Sequence, residues 1–151
     1  MQLMHRFVVR RSPIAQMGVF TKGYLAAGEL VMEYAGEVIR RPVADRREQK
    51  YSQQGLGLYL FALDKDYHID ATCKGNIARY INHSCRPNCA AKLVEVQRQH
   101  RVFIFAAQEI APLEELTYDY KVSGSESLHD TSLGEQSTRC NCDALQCRGK
   151  L

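Results

Sequence analysis

The sequence has no long apolar run, no large excess of charge of one sign and no apolar leader at its start. None of its apolar stretches approaches the roughly 20 residues that a membrane-spanning helix needs. The opening MQLMHRFVVRRS has no continuous apolar segment before its arginines, which argues against a secretory signal. Twenty basic and 17 acidic residues leave a net charge of only +3, so we predict neither direct nucleic-acid binding nor a membrane partner.

What the sequence does have is enough apolar content for one folded domain, since 45% of its 151 residues are apolar and 25% are charged. Short runs rich in β-branched and aromatic residues, separated by polar turns, predict many short strands and little helix. The strands are expected at 29–39, broken at Gly36, at 58–64 paired with 67–72, at 91–96 paired with 101–106, and at 115–122. One short exposed helix is expected from Pro42 to just before Gly55.

Six cysteines are present, and three of them, Cys140, Cys142 and Cys147, lie within the last twelve residues. Two cysteines separated by one residue are poorly placed to form a disulfide, and no secretory context is visible, so thiolates around a metal in a reducing compartment are the better interpretation. A structural zinc site takes four ligands, so a fourth must come from elsewhere in the chain. The candidates are Cys73, Cys85, Cys89, His83 and His129.

Residues 123–139 differ from the rest of the chain because they contain five serines and two glycines but few large apolar side chains. This composition is typical of a flexible linker. The sequence therefore divides into a folded domain at 1–122, a linker at 123–139 and a cysteine motif at 140–151.

Six segments have an order and spacing similar to those of a known family: RSPIAQMGVF, EYAGEVI, GLYLF, GNIARYINHSC, EELTYDY and CNCDALQCRGKL. The chain resembles a SET domain followed by a post-SET zinc motif, and it looks most like the trithorax-type branch. The resemblance implies a mostly β, β-clip-like fold of several small sheets with short helices. It also implies a near-knot, in which the NHSC segment passes through a loop formed by a later strand.

The same resemblance implies an activity, a protein-lysine N-methyltransferase that uses S-adenosyl-L-methionine and acts on a histone tail, with histone H3 as the expected substrate. It implies that Tyr120 is the catalytic tyrosine and that Tyr118 controls the number of methyl groups, with Tyr favouring one. Tyr34 and Tyr59 would be walls of the lysine channel. The implied cofactor-binding residues are Met17, Gly18, Tyr59, Asn82, His83 and Asn141, and the implied zinc ligands are Cys85, Cys140, Cys142 and Cys147.

The tyrosine spacing has a chemical interpretation of its own. Side chains two residues apart on a strand share a face, so Tyr118 and Tyr120 are expected to lie together. Without the resemblance, such a pair is most often a packing stripe, and ordinary strand packing also remains an alternative for Tyr34 and Tyr59. Methyl transfer to a lysine needs a neutral amine, and an apolar aromatic channel lowers the lysine pKa and suits a methylated ammonium.

One position departs from the family pattern, because the family motif G-x-G is Gln16-Met17-Gly18 here and only its second glycine is present. We expect weaker cofactor binding from this departure. Two alternatives to a histone methyltransferase remain at this stage: an enzyme for a non-histone protein, and a catalytically weak module that serves as a binding scaffold. Adaptor proteins that stimulate activity are a further expectation, as is a nuclear, chromatin-associated location if the source is a eukaryote.

Overall fold

The structure is a computed structural model, and it describes residues 3–120 and 139–151. In these residues ten strands form four small sheets, so the expectation of a mostly β fold is confirmed. One α-helix and two 3-10 helices, Leu3–Arg6 and Ile77–Tyr80, complete the regular structure. The strands are β1 (Phe7–Arg11), β2 (Met17–Thr21), β3 (Leu30–Tyr34), β4 (Glu37–Arg40), β5 (Leu60–Ala62), β6 (Tyr67–Asp70), β7 (Asn82–His83), β8 (Cys89–Val96), β9 (Gln99–Ala106) and β10 (Thr117–Tyr118), and the helix is α1 (Arg41–Gln53).

Both expected hairpins are present, β5 with β6 and β8 with β9. The second is longer than its sequence pattern predicts, because Val96 pairs directly with Gln99 and the turn consists only of Gln97 and Arg98. These two residues have φ values of 51° and 63°. Two-residue turns of this kind usually contain Asn or Gly, so Gln and Arg gave no signal for a tight turn.

The strand expected at 29–39 is broken near Gly36, as predicted, and becomes β3 and β4. A Cβ at Gly36 would lie 2.6 Å from the carbonyl oxygen of Asp70, so only glycine fits this close approach. The two-residue alternation places Met32 and Val31 on opposite faces, but both are buried. A register shift between Leu30 and Met32, where β3 pairs with β9, interrupts the alternation.

Helix α1 has the expected position, with Pro42 in its first turn and only Ala44 and Tyr51 buried. Two of its side chains bond to Asp70 Oδ2 in β6: Arg47 donates to it at 2.8 Å and also to Glu37, and the Tyr51 hydroxyl donates to it at 2.9 Å. The rest of its charged face is solvated, as the sequence pattern predicts.

The antiparallel pair of β1 and β2 is not predicted by the sequence patterns. Strand β1 ends in two arginines, and both strands lack a strong alternation, so neither gave a clear signal. The pair matters for the site because it fixes the backbone of Met17 and Gly18 beside the segment that contains Asn82.

Strands β7 and β10 are far apart in sequence and pair in parallel, with Asn82 opposite Thr117 and His83 opposite Tyr118. The strand expected at 115–122 is therefore short, and its residues 121 and 122 lie outside the described residues, as do residues 123–138 of the expected linker. The pairing places the NHSC segment beside the tyrosine strand, as the resemblance implies.

The core lies between these small sheets, and its largest side chains have relative exposures of 0–1%. Within residues 3–120 and 139–151, no helix has both the length and the apolar character to cross a membrane. The most deeply buried aliphatic side chains are Val19, Leu25, Val31, Ile81, Val102, Ile104, Ile110 and Leu116.

Candidate functional site

A cavity of about 430 Å³ opens beside the start of β2, and its size is within the range of small-molecule sites. Of the six expected cofactor-binding residues, Met17, Tyr59 and Asn82 line it, and Tyr120 forms part of the same wall. The other three do not line it. Gly18 and His83 are buried, and Asn141 is exposed on the C-terminal segment.

The loop before β5 and the 3-10 helix Ile77–Tyr80 supply the opposite side of this cavity. Arg79 brings a positive charge to it, held by bonds from Nη1 to the carbonyls of Ala71 and Thr72, both 3.1 Å long. Its guanidinium carbon lies 5.6 Å from the centre of the Tyr59 ring, a cation–π contact. Sequence reasoning did not identify Arg79, although it is the one charged residue in the GNIARYINHSC segment.

Four aromatic rings form a row that ends at this cavity. The ring centres of Tyr118 and Tyr120 are 4.9 Å apart, those of Phe61 and Tyr118 are 6.3 Å apart, and those of Tyr34 and Phe61 are 5.2 Å apart. Tyr34 lines a second cavity of about 770 Å³. The aromatic row, defined as Tyr34, Phe61, Tyr118 and Tyr120, thus reaches from one cavity to the other.

Phe61 was not among the expected site residues, although its signal is present in the sequence. It stands two positions after Tyr59 on the GLYLF segment, the same spacing that singled out Tyr118 and Tyr120. The spacing of two residues predicted that Tyr118 and Tyr120 lie together, and it applies equally to Tyr59 and Phe61.

The tyrosines of the row stay protonated at neutral pH. Burial raises the pKa of Tyr118 and of Tyr34 above the ordinary value, and burial together with the neighbouring Tyr59 raises the pKa of Tyr120 to about 12. The Tyr120 hydroxyl donates to the carbonyl oxygen of Ile81 at 3.1 Å. These rings therefore act as neutral walls and hydrogen-bonding groups, not as bases.

The NHSC segment holds Tyr120 from the side. The backbone N–H of Tyr120 donates to Nδ1 of His83 at 3.1 Å, and the two rings meet edge to face. His83 is almost fully buried, and its Nε2 lies 3.4 Å from Sγ of Cys85. His83 thus lies between the tyrosine wall and the cysteines.

The structure explains why the chain tolerates Gln16 at the first position of the family motif and keeps Gly18 at the third. Gln16 is exposed and does not have a positive φ, so its backbone does not require glycine. Gly18 is buried, and a Cβ there would overlap the carboxylate of Glu115. The chain thus keeps glycine at a position where a Cβ would fit only if the Glu115 side chain moved. The expected weakening of cofactor binding stays a prediction.

The four cysteines that the resemblance assigned as ligands lie together. Their sulfur atoms are all within 4.8 Å of one another. Sγ of Cys85 is 3.8 Å from Sγ of Cys140 and 4.0 Å from Sγ of Cys147. Four thiolates at about 2.3 Å around a tetrahedral zinc ion would be about 3.8 Å apart. The cluster can therefore hold a metal ion.

Backbone N–H groups face the sulfur atoms, an arrangement that stabilises thiolates. Burial alone would raise the pKa of Cys142, but N–H donors of Cys85 and Ala144 lower it to about 6. The N–H of Arg148 points at Cys85 Sγ and that of Gly149 at Cys147 Sγ, each at 3.3 Å. This donor set suits the deprotonated sulfur that a metal requires.

The other ligand candidates do not belong to the cluster. Cys73 is exposed, and Cys89 is 1% exposed in β8, where burial raises its pKa to about 12. His83 contacts Cys85 but is not part of the cluster. His129 lies outside the described residues.

An ion pair joins the C-terminal segment to the tyrosine strand. Arg148 donates to both carboxylate oxygens of Asp119, at 2.7 and 2.8 Å, and Asp119 stands between Tyr118 and Tyr120 in sequence. This ion pair therefore connects the segment that carries the cysteines to the strand that carries Tyr118 and Tyr120. Sequence reasoning did not identify this pair.

Fold and site together define a class of protein: a small, mostly β domain in which an aromatic row joins two cavities beside a cluster of four cysteines. A family model described as the SET domain matches residues 16–121. The chain therefore belongs to the SET-domain family.

Three curated relatives place it near the trithorax-type branch. Proteins named "Histone-lysine N-methyltransferase, H3 lysine-4 specific" from Yarrowia lipolytica and Saccharomyces cerevisiae are 44% and 45% identical to it over 142 residues, 93% of this chain. "Histone-lysine N-methyltransferase trithorax" of Drosophila virilis is 41% identical over 143 residues, 95% of this chain. The chain spans only 12%, 13% and 4% of the length of these proteins.

Proposed function

We propose that this chain is a protein-lysine N-methyltransferase that uses S-adenosyl-L-methionine and acts on a histone tail. The observation that carries the proposal is the aromatic row, which runs from the cavity lined by Asn82 and Tyr120 to the cavity lined by Tyr34. Such an arrangement suits a reaction in which two ligands enter from different openings and meet at one point. The site thus supports transfer between a bound small molecule and a long side chain.

The cavity of about 430 Å³ is the proposed cofactor site, and its residues fit that molecule. Asn82 offers an amide and Arg79 a positive charge, which suit the ammonium and carboxylate of an amino-acid end. When bound, the cofactor supplies a methyl group on a positively charged sulfur. Met17 and Tyr59 line the cavity, whereas Gly18, His83 and Asn141 are proposed to act by shaping the surrounding backbone.

The aromatic row is the proposed lysine channel. A lysine amine has an ordinary pKa of about 10.4 and must release its proton to solvent before it can attack the methyl group. Tyr34 and Tyr118 are buried, and such apolar rings exclude water and disfavour the charged amine, which lowers its pKa. Because Tyr118 and Tyr120 stay neutral, they position the amine through their hydroxyls and do not take its proton. We assign the catalytic role to Tyr120 and the control of methyl number to Tyr118, with one methyl group expected.

The cysteine cluster is the proposed zinc site, with Cys85, Cys140, Cys142 and Cys147 as ligands. With a zinc ion bound, these four ligands would join the NHSC segment to the C-terminal residues next to the aromatic row. The proposed organisation is a SET domain at 1–122, a flexible linker at 123–139 and a post-SET motif at 140–151.

The relatives' names carry the proposal for the substrate. Two of them are called specific for lysine 4 of histone H3, and we propose that lysine for this chain. Location at chromatin in a nucleus, and stimulation by adaptor proteins, belong to the same proposal. A non-histone substrate and a scaffold role are not favoured by any of the relatives.

The test is transfer of labelled methyl from S-adenosyl-L-methionine to histone H3. Wild-type protein is expected to label H3 and to leave H3 with lysine 4 replaced by arginine unlabelled, and mass spectrometry is expected to find one added methyl group. Tyr120→Phe is expected to lower transfer to background while S-adenosylhomocysteine still binds. Tyr24→Phe, at an exposed ring outside both cavities, is the matched control and is expected to keep full activity. Label on neither H3 nor any other protein, without cofactor binding, would refute the proposal.

A further inference from the structure

We propose that Glu115 is a positioning residue that, together with Ser12, fixes the side-chain amide of Asn82 so that Oδ1 faces the cofactor cavity. In this role Glu115 sets a specificity: the site reads a hydrogen-bond donor, the amino group at the amino-acid end of the cofactor. The inference rests on the proposed function, because it assigns the cavity of about 430 Å³ to that cofactor.

The hydrogen bonds of Asn82 determine which way its amide points. Nδ2 lies 2.8 Å from the carbonyl oxygen of Met17, 2.8 Å from Oε1 of Glu115 and 3.2 Å from Oγ of Ser12. A carbonyl and an ionised carboxylate only accept hydrogen bonds, so the atom that faces them must be the NH₂ group. In the described part of the chain, every hydrogen bond of this side chain runs through Nδ2, and Asn82 lines the cavity. Oδ1 is therefore the atom left for a ligand.

Glu115 is itself held in place from two sides. The Ser12 hydroxyl lies 2.7 Å from Oε1 and 2.9 Å from Oε2 of the carboxylate, to which it donates, and Oγ accepts from the N–H of Ile14 at 3.0 Å. On the other side the carboxylate lies against Gly18, and a Cβ at that position would displace it. Gly18, the one glycine of the family motif that this chain keeps, thus makes room for the Glu115 carboxylate.

This geometry has a chemical consequence. An α-ammonium group only donates hydrogen bonds and a carboxylate only accepts them, so Oδ1 of Asn82 can bind the former and not the latter. The glutamate enforces this choice because a charged acceptor holds the NH₂ group strongly. A glutamine at position 115 could turn its own NH₂ group toward Asn82, and the amide would lose its preferred orientation.

The experiment is calorimetric titration of two ligands, S-adenosylhomocysteine and its analogue without the α-amino group. Glu115→Gln is expected to weaken the first by about tenfold and to change the second by less than about twofold. Glu114→Gln is the matched control, since this neighbouring carboxylate bonds to Asn88 and the N–H of Ala111 and does not contact Asn82. It is expected to leave both affinities unchanged.

Ser12→Ala provides a second variant that keeps the charge of Glu115. It is expected to shift the ratio of the affinities for the two ligands in the same direction as Glu115→Gln, but by less. Melting temperature and metal content establish that each variant is folded. Equal loss for both ligands in Glu115→Gln, or no loss for either, would overturn the positioning role. Wild-type protein that binds neither ligand would instead refute the proposed function and the inference with it.

Discussion

The sheets around the core and the C-terminal segment 139–151 are held together by different forces. Val31 and Ile104 in the sheets, and Leu116 just before β10, are fully buried and belong to one apolar cluster. In the segment only Cys140 is buried, and Leu145 is 99% exposed. Its regular backbone pairing is one bridge between Arg139 and Lys150. Apolar burial stabilises the first region and cannot stabilise the second.

This difference indicates which part of the site can lose its structure without unfolding of the core. Segments that cannot bury apolar surface need a metal or charged contacts to become ordered. Segment 139–151 has both, the cysteine cluster and the pair of Arg148 with Asp119. The core should therefore survive changes that release this segment, whereas changes in the core should unfold the entire domain.

The largest effect is expected from Cys85→Ser, which removes the one ligand that lies outside the segment. Bound zinc should fall from about one ion per chain to almost none, because three ligands leave a structural tetrahedral site incomplete. Methyl transfer should fall to background, while the thermal unfolding of the sheets changes little. Metal analysis, labelled transfer and a melting curve on the same sample test the three statements.

The matched control is Cys73→Ser, at an exposed cysteine outside the cluster. It should retain zinc and activity. Active wild-type protein purified without any metal would contradict the role given to the cluster, and global unfolding of Cys85→Ser would contradict the independence of the core.

The core is expected to respond in the opposite way to Ile104→Ala. Ile104 is fully buried in β9 between β3 and β8, and removing such a side chain typically costs about 2–5 kcal/mol of unfolding free energy. Urea unfolding measures the loss, and the protein that remains folded should still bind zinc. Leu93→Ala, half-exposed in the adjacent strand, is the control and should cost much less. Equal losses for the two variants would remove the basis of the comparison.

The same contrast explains what sequence reasoning could predict. Hairpins, the break at Gly36 and helix α1 follow local patterns, because alternation, glycine and proline act within a few residues. The β8–β9 turn at Gln97 and Arg98 was missed because tertiary pairing imposes positive φ on residues that do not favour it. The parallel pair of β7 and β10 is a contact across 35 residues, and only the resemblance indicated it.

In the site, residue types with a strong chemical signature were predictable and their partners were not. Three cysteines at short spacing without a secretory context favour a metal site, so three of the four cysteines in the cluster were singled out from spacing alone. Glu115 and Arg148 are ordinary charged residues in sequence, and they acquire a role only because Asn82 and Asp119 lie beside them. Folding creates such pairs between distant segments, and one sequence contains no local trace of them.

A smaller effect is expected at the ion pair that ties α1 to the sheets. Burial raises the pKa of Asp70, but bonds from Arg47, Thr72 and Tyr51 outweigh it and hold the pKa below its usual value. A lowered pKa stabilises the fold above the unfolded-state value of about 3.9, and this contribution is lost as the pH falls through the folded-state pKa. Asp70→Asn should lower the unfolding free energy at pH 7 by about 1–3 kcal/mol and flatten its decline below about pH 4.

Urea unfolding at pH 7 and pH 3 measures both effects of Asp70→Asn. Asp66→Asn, at an exposed carboxylate in the turn before β6, is the control. Its unfolding free energy should decline at low pH as much as that of the wild-type protein. If the unfolding free energy of Asp70→Asn still declined at low pH as in the wild type, the Asp70 carboxylate would not be the cause of that decline.

The smallest effect on stability is expected from Arg148→Ala. The pair with Asp119 is partly exposed, and pairs of this kind contribute less than about 1 kcal/mol. Zinc should stay bound because all four thiols remain, but transfer should fall several-fold, since the segment is no longer held in register with Tyr118 and Tyr120. Lys150→Ala, a charge removed from the same segment outside the pair, should leave transfer unchanged. If Arg148→Ala loses zinc as Cys85→Ser does, the metal and the ion pair form one unit, and the two means of holding the segment are not separable.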